Sequence, residues 1–175
     1  PERFKVTPIG PEQTLSAMLA EGEIDALHTA RTPSTFYSRP EAVKRLFPDF
    51  VQVEKAYYRK TGLFPIMHVI ALRRDVYEAN RWIARSLFKA FLDAQAIAYA
   101  NLKVTSAMTS MLPWQVAAVE EAVAELGADW WPYGFAKNRA VLDTFLRYHH
   151  EQGLSPRRLE PGAPFAPGTF ADLKL

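Results

Sequence analysis

The sequence predicts an α/β fold, and three observations carry that expectation. A strand–helix–strand pattern fills the first 30 or so residues, which is the signature of a βαβ unit and of a parallel sheet. A near-continuous apolar run, "GLFPIMHVIALRRD" (62–75), reads as a buried strand. Behind it lie at least three amphipathic helices, enough to cover a sheet.

The elements follow in order. "FKVTPI" (4–9) alternates as a short strand. In "PEQTLSAMLAEGE", Leu15, Met18 and Leu19 share a helical face, Glu12 stands at the start and Gly22 is placed to end it. "IDALHTA" (24–30) is the second strand, "RTPSTFYSRP" (31–40) a loop, and "EAVKRLFP" a short helix stopped by Pro48. "DFVQVEKAYYRKTG" is ambiguous between strand and helix up to Gly62. The strand 62–75 is followed by a helix over 81–102, with Asn80 as its cap and Ile83, Leu87, Ala90, Phe91, Ala94 and Ala98 as its apolar stripe. "PWQVAAVEEAVAELG" is a helix with Pro113 in its first turn and Gly127 at its end. "KNRAVLDTFLRYHHEQGL" is another, capped by Asn138 and closed by Gly153, and the Pro/Gly-rich tail finishes in a short helix.

Composition narrows the function classes. The 175 residues are 49% hydrophobic and 23% charged, sufficient apolar material for a core. Lys and Arg total 21 against 19 Asp and Glu, with no basic run, so nucleic acid is not an expected partner. The absence of cysteine removes disulfides, thiolate nucleophiles, iron–sulfur clusters and cysteine zinc sites. No apolar run reaches the roughly 18–20 residues of a membrane span. The chain opens on Pro1 rather than Met, and two or three strands are few for a sheet; both features predict a piece of a longer protein, and a homo-oligomer is compatible with the sequence.

Four places attract a chemical reading. His68 interrupts the apolar run: it is either a core histidine satisfied by a backbone partner or a general acid or base beside a ligand. "DALHTARTPSTF" brings His28, Thr29 and Arg31 to a strand end, where ligands of open α/β sheets gather. Arg31 could clamp a carboxylate in a bidentate grip, with Thr29, Ser34 and Thr35 adding hydroxyls; the plain alternative is a polar surface loop. "DWWPYGF" (129–135) packs four aromatics into seven residues, either docking a loop or walling an aromatic-ligand pocket with the Tyr133 hydroxyl as polar handle. His149 and His150 are adjacent, about 100° apart on a helix, and so do not form a metal pair. Tyr57, Tyr58, Arg73 and Arg74 read as structural. No metal site and no organic cofactor is expected.

The stretches "LFPIMHVIALRRDVYEAN", "WWPYGFAKNRAVLDTFLRYHHEQGLSPRRL" and "FAPGTF" resemble the C-terminal half of 4,5-dihydroxyphthalate decarboxylases, and "LAEGEIDALHTA" is similar to the wider group of type 2 periplasmic solute-binding proteins. The resemblance implies two α/β lobes with crossing strands and a ligand between them. Residues 1–62 would complete the second lobe, and 63–175 would form a crossing strand and helices packed on the first. It also implies a small aromatic carboxylate as ligand and non-oxidative decarboxylation to protocatechuate without cofactor, in the cytoplasm. Position and chemistry then give His68 the proton transfer, with His28 as alternate, and Arg31 the carboxylate. The rival reading is a periplasmic solute-binding protein for an aromatic or carboxylated ligand, with no catalysis.

Overall fold

A computed structural model describes residues 4–171, and it overturns the expected α/β class. Those residues form seven α-helices and one 3₁₀ turn, with no strand among them. The two-lobed arrangement with crossing strands, as in type 2 periplasmic-binding proteins, is therefore not what this chain adopts. The stretches 4–9, 24–30 and 62–75 were expected as strands. The first two are non-helical without a ladder, and so is the third up to Arg73. The physical reason is that a strand is completed by a partner's backbone, which the local apolar pattern does not contain.

The chain divides into two compact units, with the boundary between Lys60 and Thr61. In the first unit, α1 (Leu15–Glu21) ends at Gly22, as its sequence suggests. The Thr14 hydroxyl accepts from the Ala17 N–H at 3.2 Å, and Gly22 closes the helix in a left-handed conformation. The expected loop 31–40 contains a single helical turn, α2 (Thr35–Ser38), which packs on α1. Residues 41–48, expected as a helix, are turns and bends instead. The ambiguous segment resolves to helix α3 (Phe50–Thr61). Ala20 and Val43 are this unit's buried apolar residues. Around them, Arg39 bridges Glu21 and Glu41 at 2.9 Å each, and the Arg45 guanidinium lies over the rings of Phe36 and Phe50.

In the second unit, α5 (Trp82–Leu102) is the central element. Helix α4 (Arg74–Ala79), α6 (Gln115–Leu126) and the 3₁₀ turn Pro167–Thr169 all pack on it. Asn80 does not cap α5: it closes α4, its side chain reaching back to the Val76 carbonyl, and Arg81 precedes α5. The buried face of α5 is also rotated from the expected stripe. Ala84 is buried and Phe88, Leu92, Gln95 and Tyr99 are partly covered; of the expected stripe Ile83 and Leu87 are partly covered too, whereas Ala90, Phe91, Ala94 and Ala98 face solvent. Polar residues thus occupy positions on the inner face, which an apolar stripe cannot reveal. Buried Gln115 ties α6 to α5 by donating to the Leu102 carbonyl at 3.1 Å and accepting from the Ser110 hydroxyl.

Helix α7 (Phe135–Glu151) buries Leu142 and Leu146. Gly127 ends α6, and the chain past α7 turns at Gly153, whose N–H bonds to His150. The tail returns to the start of α7 through Phe165 and Phe170, whose rings lie 5.8 and 4.7 Å from that of Phe135. Arg158 adds an ion pair to Asp143 at 2.6 Å. The last residues of the tail, where a short helix was expected, lie outside the described residues.

Candidate functional site

The residues singled out from sequence fall into both units: His28, Thr29, Arg31 and Ser34 in the first, His68 and Tyr133 in the second. Each group has its own local architecture.

In the first unit, the segment after α1 carries His28, Thr29 and Arg31 on exposed, non-helical backbone. The strand-end logic that selected them does not apply, because there is no strand. What shapes the loop is a local turn. The Thr29 hydroxyl accepts the Arg31 N–H at 3.3 Å, leaving its own O–H free to donate. Among the described residues the Arg31 guanidinium has no ion-pair partner, so its five donors remain available to an anion. The far end of the loop is pinned to α1 by a hydroxyl cluster. Ser16 Oγ lies 3.3 Å from Ser34 Oγ and 3.0 Å from Thr35 Oγ1, and the Thr35 hydroxyl donates to the Ser16 carbonyl at 3.1 Å. Ser34 is thus partly committed to holding its own loop. Ser16 was not foreseen as its partner, since a single serine in an amphipathic helix gives no signal.

In the second unit, the loop between α6 and α7 is the most heavily tethered segment. The Tyr99 hydroxyl, from α5, accepts the Trp131 N–H at 2.9 Å and donates to Asp129 Oδ1 at 3.3 Å. The Tyr99 ring stacks on Trp130 with centroids 4.1 Å apart. Gln95, one turn earlier on the same helix, donates to the Trp131 carbonyl. Lys137 pairs with Asp129 Oδ2 at 2.7 Å. The Asn138 amide donates to the carbonyls of Pro132 and Gly134 at 2.7 and 2.9 Å, so Asn138 holds the preceding loop from within α7 while Gly134 occupies the cap position. Burial, aided by the Asp129 charge, pushes the Tyr99 phenol above its ordinary pKa, and the Trp131 N–H bond offsets this in part.

This loop joins a second predicted feature. The Trp131 ring meets Phe64 edge-on at 5.8 Å, so the apolar segment that carries His68 is anchored at its start to the aromatic loop. His68 itself is exposed, as are Met67, Val69 and Ile70 around it. The docking role weighed for "DWWPYGF" is what Asp129, Trp130 and Trp131 perform. Tyr133 differs: it is half-buried, and among the described residues its hydroxyl makes no hydrogen bond. Sequence reading missed Gln95 and Tyr99, although they stand four residues apart on one helix, and it took Asn138 for a cap where Asn138 instead holds the preceding loop.

His149 packs on the Phe145 ring at 5.8 Å and His150 Nδ1 lies 3.2 Å from the Ser155 carbonyl. Among the described residues no three His, Asp or Glu side chains gather as a metal-binding group. Arg73 makes a double contact with Asp75, at 2.7 and 2.6 Å, that holds the Asp75 carboxyl below its usual range. Among the described residues no helix is long and apolar enough to cross a membrane.

No family model matches the chain. Among curated proteins, it is similar over all 175 of its residues to a 4,5-dihydroxyphthalate decarboxylase of Comamonas testosteroni, at 37% identity. The chain spans 53% of that relative's length. The resemblance carried by the apolar segment, the aromatic loop and the tail therefore extends along the whole chain.

Proposed function

We propose that this chain is part of a non-oxidative decarboxylase acting on a dihydroxylated aromatic dicarboxylate, with 4,5-dihydroxyphthalate as the substrate to try first. The observation that carries the reading is the 37% identity, along the entire chain, to a protein named for that activity.

The chemistry requires no electron acceptor. Each ring hydroxyl of 4,5-dihydroxyphthalate is para to a carboxylate. As one phenol loses its proton, electron density moves to the carboxylate-bearing carbon. A general acid protonates that carbon, the carbon–carboxylate bond breaks, and the bonding pair returns to the ring as CO2 leaves. One carboxylate and one proton become one C–H bond and CO2. The protein has to hold the second carboxylate, assist the phenol and deliver the proton.

Arg31 suits the first task, since its guanidinium is exposed and is without an ion-pair partner among the described residues. The free O–H of Thr29 and the Ser34 hydroxyl can add hydrogen bonds. His68 is the candidate proton donor, with His28 as alternate; both are exposed. Tyr133 offers a hydroxyl to a phenol or carboxylate oxygen.

Incubation of the protein with 4,5-dihydroxyphthalate, following CO2 and protocatechuate together, tests this reading. Stoichiometric appearance of both is the expected result. Tight binding of hydroxylated phthalates without turnover would instead favour a solute-binding role.

A further inference from the structure

We propose that Tyr99 is the positioning residue for Tyr133 as a ligand-binding group, an inference that rests on the aromatic-carboxylate reading above. The segment between α6 and α7 is held at nearly every residue. Asp129 is bound by Tyr99 and Lys137, Trp130 by the Tyr99 ring, and Trp131 by Tyr99, Gln95 and Phe64; Asn138 holds Pro132 and Gly134. Tyr99 takes part in three of these contacts with one side chain. The residue left over is Tyr133, a half-buried phenol with no hydrogen bond among the described residues, in the middle of a fixed loop.

That pattern is what a preorganised binding group requires. A hydroxyl that must meet one oxygen of a small rigid ligand gains affinity when its backbone is already ordered, because the ordering cost is not levied on binding. The same loop also meets Phe64, through the Trp131 ring. Tyr99 itself is committed to the loop through its donor, its acceptor and its ring, so it acts through Tyr133 and Trp131.

The test compares Tyr99→Phe with wild type. This variant keeps the ring that stacks on Trp130 and removes both hydroxyl bonds. Steady-state kinetics with 4,5-dihydroxyphthalate are measured beside direct binding of phthalate, which lacks the hydroxyls needed for reaction. The expected result is a rise of about tenfold in KM and in the phthalate Kd, with kcat within about twofold of wild type. Wild-type KM and Kd in Tyr99→Phe would overturn the proposal, as would a fall in kcat at unchanged KM. Should Tyr99→Phe precipitate, Asp129→Asn, which weakens the same tether at the Lys137 end, is expected to raise KM in the same direction by a smaller factor; an unchanged KM there also overturns it. A wild type that binds phthalate but converts nothing sinks the decarboxylase reading alone, and the affinity comparison still decides the role of Tyr99. A wild type that neither binds nor converts sinks both.

Discussion

At the scale of single residues, the candidate roles separate by what each side chain can exchange. Arg31 has donors and no removable proton near neutrality, so it can hold a carboxylate but cannot cycle one. Arg31→Ala is expected to raise the substrate Kd by the few kcal/mol typical of a lost charge-assisted bidentate contact, with a smaller effect on turnover of bound substrate. Calorimetric titration of the variant beside its kinetics checks this. His68→Asn keeps size and polarity but loses the proton; turnover is expected to fall by roughly 10²–10⁴ at near-normal affinity, and normal turnover would move the proton transfer to His28. Tyr99 allows a pH expectation. Its phenol is held above the ordinary value, so the folded chain binds that proton more tightly than the unfolded chain does. The resulting stabilisation is complete below the ordinary tyrosine pKa of about 10 and is lost as pH rises through the raised folded value. Urea unfolding at pH 9 to 11 should show wild type losing stability more steeply than Tyr99→Phe; parallel losses would mean that Tyr99 is not coupled to folding.

At the scale of elements, helix ends marked by glycine were legible, whereas N-terminal caps and pairing were not: Asn80 closes α4 instead of capping α5, and Gly134 takes the cap position expected for Asn138. Gly22, Gly127 and Gly153 stand where their helices end or turn away, because the rules for these helix ends concern a few contiguous residues. Gly127 sits at φ 89° and ψ 178°, a backbone region that side chains with a Cβ avoid, and no atom within 4 Å would obstruct a methyl there. Gly127→Ala is thus expected to cost about 1–3 kcal/mol through backbone strain alone, read as a lower urea midpoint at constant slope. The segment 62–75 shows the converse. Its apolar run describes a buried strand equally well, but burial and ladder come from elsewhere, and Met67, Val69 and Ile70 remain about 60% exposed. Amides over 66–72 should exchange with deuterium much faster than those in the middle of α5; slow exchange would restore the expected strand. The aromatic loop lay between these cases. The density of rings marked it as a cluster, whereas its polar supports came from helices about 30 residues upstream and a few residues downstream, at separations no local pattern encodes.

At the scale of the whole molecule, composition separated classes well and topology poorly. A chain that is 49% hydrophobic was read as having material for a core, and the described residues place little of that material in one. Ala20 and Val43 are buried in the first unit and Ala84, Leu142 and Leu146 in the second, and no side chain among the described residues is below 2% exposure. Large apolar side chains such as Leu46, Trp82 and Trp114 are instead mostly exposed. The consequence is energetic. Burying a large aliphatic side chain contributes about 1.5–3 kcal/mol, and ordering each residue costs on the order of 1–2 kcal/mol, so units with so few buried groups stand close to the margin. Exposed apolar surface on this scale also binds hydrophobic dyes. The 175-residue chain, purified as such, is therefore expected to enhance the fluorescence of an anilinonaphthalene dye at neutral pH. Its urea transition should be shallow, with a slope at or below the low end of the roughly 1–3 kcal/mol/M found for small proteins. All four tryptophans, Trp82, Trp114, Trp130 and Trp131, lie in the second unit, so tryptophan emission follows that unit alone while far-UV circular dichroism follows the helices of both. A steep transition in both signals, with no dye enhancement, would mean that the apolar side chains are covered in solution, and would count against the exposed disposition of the His68 segment from which its proton-transfer role was argued.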